Sequence, residues 1–74
     1  MIRIEDVLNV IKEVLGRDDI TEDTQVKDIA EWDSLKHLQI IMEIEDRFKV
    51  QIPLEKVGEI SSVKDLYNVI VDLQ

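Results

Sequence analysis

Three stretches of this chain set their aliphatic residues at alternating intervals of three and four. No stretch alternates with the period of two that a half-buried strand needs. Ile4, Val7, Leu8, Ile11, Val14 and Leu15 form the first stripe. The second runs from Leu35 through Leu38, Ile41, Met42 and Ile44 to Phe48, and the third is Val63, Leu66, Tyr67, Ile70 and Leu73. An amphipathic helix gains most of its stability when another element covers its stripe. Three such stripes in 74 residues therefore point to helices packed on one another.

The boundaries follow from local chemistry. The first helix covers about residues 3–15. It begins without a Ser, Thr, Asn or Asp cap and stops at Gly16, which can take a left-handed conformation at a helix C-terminus. The second covers about residues 34–49. Asp33 precedes it as a good N-cap, but Lys36 stands where a capping box has glutamate, a cation at the positive end of the helix dipole. Pro53 suits the first position of a brief helix, about 54–58, ending near Gly58. The last helix covers about residues 62–73, capped by Ser61 or Ser62, with Asp65 placed as in a capping box. The expected fold is all-α: a small four-helix bundle, three main helices plus one short helix, in a single domain over residues 1–74.

Between the first two helices lies a long connection, Arg17 to Asp33. Asp18, Asp19, Thr21, Glu22, Asp23 and Thr24 are cap formers or poor helix-interior residues. Structureless loops beyond about 12–15 residues are uncommon in compact domains and are often functional. Ile20, Val26, Ile29 and Trp32 are expected to pin this loop to the core, with a single turn around residues 26–29. The acidic run Asp18–Asp23 lacks the ligand spacing and central glycine of a calcium loop, so no metal site is expected. The chain has no cysteine, which removes disulfides and thiolate metal sites.

The formal net charge is −8, from 17 acids and 9 bases. Phosphate backbones and anionic membrane surfaces demand the opposite sign, so neither nucleic acid nor membrane insertion is expected. Partners with basic surfaces fit better. No apolar run approaches the roughly 20 residues that span a bilayer. The segment Met1-Ile2-Arg3-Ile4-Glu5-Asp6 lacks a signal peptide's apolar core, so a cytoplasmic protein is expected.

The second helix carries more apolar surface than one core can use. At about 100° per residue from Leu35, its apolar residues span an arc of roughly 220°, where a packed helix needs about 100° or a little more. Ile40, Ile41, Ile44 and Phe48 form one group, expected to be core. Leu35, Leu38 and Met42 form a second group, expected to be a semi-exposed patch with Gln39 and Asp46 on its rim. Ser34 falls between the two groups. A serine there is either a helix cap or a hydroxyl held out for modification. His37 falls on the core arc and reads as a partly buried structural histidine. It lies one turn from Ser34, but no orienting acid or oxyanion hole is evident, so no catalytic residue is expected.

With the helix order in hand, this chain resembles the acyl carrier proteins. Their signature is Asp-Ser-Leu opening the second helix, here Asp33-Ser34-Leu35. The matching continuation is Leu38, Ile41-Met42-Glu43-Ile44-Glu45-Asp46-Arg47-Phe48 and Ile52-Pro53, and Ile60-Ser61-Ser62-Val63 resembles the start of the family's last helix. The resemblance implies that Ser34 bears covalent 4′-phosphopantetheine from coenzyme A, with Asp33 and Leu35 as motif neighbours. It implies a carrier and not an enzyme, holding acyl intermediates as thioesters in lipid or polyketide biosynthesis. The implied partners are a phosphopantetheinyl transferase and acyl-activating ligase, acyltransferase or synthase enzymes. A monomer is expected, meeting them through Leu35, Lys36, Leu38, Gln39, Met42 and Asp46.

The chain departs from the fatty-acid-synthesis carriers at one place. Those usually have an acid directly after Ser-Leu, whereas here Lys36, His37 and Gln39 occupy the early helix. The expectation is therefore a discrete carrier of a dedicated pathway. An aminoacyl or peptidyl carrier, including a D-alanyl carrier, is the alternative, and a helical interaction module without a prosthetic group is the second.

Overall fold

The computed structural model describes residues 2–74; Met1, part of the N-terminal segment read above, lies outside them. Four α-helices follow one another: α1 Ile4–Leu15, α2 Ser34–Phe48, α3 Leu54–Val57 and α4 Val63–Asp72, with a 3₁₀ turn at Val26–Asp28. No strand forms among the described residues. Val7, Val10 and Ile11 of α1, Ile40 and Ile44 of α2, and Val63, Leu66 and Ile70 of α4 are fully buried and make the centre of the core. Val10 was not on the stripe read from sequence. It is buried because α1 packs against both α2 and α4, which widens its covered arc.

The helix ends obey the expected chemistry with four differences. Gly16 takes the left-handed conformation (φ 68°), and its N–H closes onto the Lys12 carbonyl at 2.8 Å. Asp33 caps α2 through its carboxylate. At α1, however, Asp6 supplies the missing cap from inside the helix, its carboxylate accepting the Arg3 N–H at 3.3 Å. At α4, Ser62 accepts the Asp65 N–H at 3.0 Å, but Asp65 reaches one residue further back than a capping box requires, to the N–H (3.0 Å) and hydroxyl (2.7 Å) of Ser61. Pro53 is the N-cap of α3 and not its first residue. Leu73, expected on the α4 stripe, lies beyond the helix and is exposed, because the helix stops at Asp72.

The long connection is ordered by three devices. Ile20, Ile29 and Trp32 are buried, and Val26 packs against the core from its edge. Arg17 joins the two ends of the loop, holding Asp19 (2.6 Å) and Glu31 (2.9 Å). Finally, the Val26 N–H donates to the Ser61 carbonyl (2.9 Å) and the Val63 N–H to the Thr24 carbonyl (3.1 Å), an isolated antiparallel bridge centred on Gln25 and Ser62. The loop thereby delivers its last residue, Asp33, to the head of α2 in a fixed orientation.

Candidate functional site

The head of α2 divides its hydrogen-bonding between two neighbours. Asp33 has extended backbone geometry, and its Oδ1 accepts the Lys36 N–H at 2.9 Å while its carbonyl accepts the His37 N–H at 2.8 Å. That leaves the first-turn N–H groups of Ser34 and Leu35, which no preceding helical carbonyl can satisfy. Ser34 is exposed, and none of the described residues bonds its hydroxyl. Asp33 is the cap, then, and Ser34 is not.

Behind the serine, Trp32 and His37 make a joint between three elements. The Trp32 indole Nε1–H donates to His37 Nδ1 at 2.9 Å. His37 Nε2 lies 2.9 Å from the Val57 carbonyl at the end of α3. The indole nitrogen is a donor only, so Nδ1 must accept and Nε2 must carry the hydrogen toward the carbonyl. The imidazole is thus held as the neutral Nε2–H tautomer. His37 is half-buried, as the sequence predicts, but its two polar partners were not foreseen. The signal available was an indole five residues before an imidazole, both turned toward the core.

Ser34 stands at the edge of an open groove of about 590 Å³ between the head of α2 and α3. Val26, Trp32, Leu38, Val57 and Ile60 give it a mostly apolar lining, with Asp33 the charged side chain. On the outward face of α2, Leu35, Leu38 and Met42 are 64%, 48% and 66% exposed. Gln39 and Asp46 beside them are exposed, and Lys36 is half-buried. Phe48 is only half-buried, at the edge of the core expected for it. Leu54, at 81% exposure on α3, adds an apolar side chain that sequence reasoning missed. Of the acids on α2, Glu43 faces Arg47 (3.2 Å) and Glu45 accepts the Ile52 N–H (2.8 Å), which leaves Asp46 facing solvent.

The shifted ionisations belong to ion pairs and caps, Glu31 in the loop before the serine among them. Arg47 bonds Glu13 across α1 and α2 and holds its carboxyl below the usual carboxylate range, and Arg17 does the same to Asp19. The Ser61 hydroxyl and N–H lower Asp65. Among the described residues no cluster of His, Asp or Glu could hold a metal ion, and no helix is long and apolar enough to cross a membrane.

A family profile described as phosphopantetheine attachment site matches residues 5–70. An acyl carrier protein from Chloroherpeton thalassium is 40% identical over 63 residues, which cover 85% of this chain and 79% of that one. A candidate acyl carrier protein from Mycobacterium tuberculosis superposes with a TM-score of 0.86 at 31% identity, over 93% of this chain and 95% of that one. Holo acyl carrier protein from Geobacter metallireducens gives 0.86 at 25% identity, over 99% and 86%. This chain belongs to the acyl carrier protein family, whose phosphopantetheine-attachment domain carries 4′-phosphopantetheine covalently. Members are carriers and not enzymes, and they work with synthase and transferase enzymes. The donor set at the head of α2 fits such a group: an exposed hydroxyl without a bonded partner stands beside uncapped N–H groups at the positive end of a helix, where a phosphate is favoured.

Proposed function

We propose that Ser34 is the attachment point, within a single carrier domain over residues 1–74 that acts as a monomer in the cytoplasm. One observation carries this: the Asp33 carboxylate does the capping, so the Ser34 hydroxyl stands exposed at a helix N-terminus. The first-turn N–H groups would hold the phosphate, and the group, when attached, supplies a thiol on which cargo is held as a thioester. Asp33 fixes the helix start that a phosphopantetheinyl transferase must recognise, and Leu35 lies next to the modified hydroxyl. Leu35, Leu38 and Met42, rimmed by Lys36, Gln39 and Asp46, form the surface read by partner enzymes.

The pathway is a dedicated one and not general fatty acid synthesis. The support is the early α2 surface, where Lys36 and Gln39 replace an acidic face and Glu43 and Glu45 are already engaged within the chain. A ligase, acyltransferase or synthase that reads an apolar patch with mixed charge fits this surface better than one that reads acids alone. The same early-helix composition suits an aminoacyl or peptidyl carrier, the second reading.

The test is intact mass after incubation with coenzyme A and a broad-specificity phosphopantetheinyl transferase. The native chain is expected to gain one phosphopantetheine and Ser34→Ala none. No gain in the native chain, or an equal gain in Ser34→Ala, overturns the reading.

A further inference from the structure

We infer that His37 is a positioning residue for the Ser34 site: it fixes both walls of the adjoining groove, the loop wall through Trp32 and the α3 wall through Val57. The inference rests on the reading of Ser34 as the functional site, but its geometry stands apart from any modification. Trp32 and Val57 both line the groove that Ser34 borders, and His37 lies between them with one ring nitrogen bonded to each. Trp32 also precedes Asp33, the cap of α2, so its placement bears directly on the backbone that presents Ser34. Buried Ile52 and Ile60 hold the chain on either side of α3, and His37 adds the side-chain bond to its last residue. That helix has four residues, too few to be stable alone, and among its residues Val57 is the one buried.

The two bonds differ in their response to protonation. A second proton goes to Nδ1, where the indole N–H already points, so two donors would face each other and the Trp32 bond must break. The Nε2–H bond to the Val57 carbonyl keeps its donor and becomes charge-assisted. Acid therefore frees the loop wall and leaves the α3 wall attached. The ionisable groups around the imidazole do not oppose this. Asp33 is committed to the Lys36 N–H, Glu31 of the loop faces Arg17, Glu55 and Lys56 of α3 are exposed, and Lys36 is half-buried on the adjacent position of α2.

The experiment is nuclear magnetic resonance of the unmodified chain. It is independent of attachment, so its outcome and that of the mass measurement can fail separately. Imidazole nitrogen shifts at neutral pH are expected to report the Nε2–H tautomer. As His37 protonates, the protection of the Trp32 indole hydrogen, measured against free indole at the same pH, should fall on the order of tenfold, the effect of losing about one net hydrogen bond. The amides of Glu59 and Ile60 behind α3 should stay as they were. His37→Phe should expose both walls at every pH, and Trp32→Phe the loop wall alone. The Val10 and Leu66 amides report global opening and serve as the internal standard. An Nδ1–H tautomer, indole protection in the native chain that does not change with pH, or α3 amides in His37→Phe that match the native chain would overturn the inference. The native-chain measurements decide it even if a variant fails to fold.

Discussion

Asp33 and Ser34 are adjacent, polar and both at the head of α2, yet substituting them should have opposite consequences for stability. Asp33→Ala removes a carboxylate that accepts the Lys36 N–H at 2.9 Å and leaves that first-turn donor without a protein partner. Loss of such a cap costs about 1 kcal/mol, within a range of about 0.5–2. For 74 residues, at about 2.1 cal/mol/K each, the melting entropy is about 155 cal/mol/K, so Tm should fall by about 6 °C. Ser34→Ala removes an exposed hydroxyl that bonds none of the described residues, and alanine is the best helix former, so Tm should hold or rise by up to about 3 °C. Asp33→Asn keeps the capping geometry and should lose less than half of what Asp33→Ala loses, the remainder being the carboxylate's interaction with the dipole. The assay is thermal melting followed by far-ultraviolet circular dichroism on the unmodified proteins. If Ser34→Ala melts as far below the native chain as Asp33→Ala does, the serine is a cap, and the division of labour at this helix head is refuted.

The same helix should separate stability from recognition. Ile44→Ala removes a fully buried side chain and should cost about 2–5 kcal/mol in a urea titration. Met42→Ala should change stability by less than about 0.5 kcal/mol while lowering kcat/KM for transferase loading severalfold. Glu13, Asp19, Glu31 and Asp65 all have folded-state pKa values below their ordinary ones: the Arg47 guanidinium lowers Glu13, Arg17 lowers Asp19, a backbone hydrogen bond and then Arg17 lower Glu31, and Ser61 lowers Asp65. The stability they confer is complete above the ordinary values of 3.8 for Asp and 4.5 for Glu and is lost as pH falls through the lower folded-state values. Urea midpoints should therefore fall as pH drops below about 5, and Asp65→Asn should flatten that fall; an Asp65→Asn slope equal to the native one would show that Asp65 contributes nothing.

What could be read from the residues was whatever depends on neighbours in sequence. The 3/4 stripes gave the three main helices, Gly16 and Asp33 their caps, and the overwide arc of α2 separated Ile40, Ile41 and Ile44 from Leu35, Leu38 and Met42. Each is a local property of one helix. The features that escaped are pairings across the chain. Nothing local says that Val26 donates to Ser61, that His37 meets the carbonyl of Val57, or that Val10 is enclosed by two helices. The shifted cap at α4 escaped for a different reason. Ser61 and Ser62 offer equivalent hydroxyls, and the choice between them was made by the bridge that uses the Ser61 carbonyl.

That bridge has a mechanical consequence. Its two backbone bonds join Thr24 and Val26 to Ser61 and Val63, so the start of α4 and the middle of the long loop move as one rigid link. The loop continues through buried Ile29 and Trp32 into Asp33 with little slack. A load that draws α4 away from the bundle must shear these bonds before α4 can leave, and it pulls on the segment that ends at Ser34. The bridge thus ties the start of α4 to the loop that leads into Ser34.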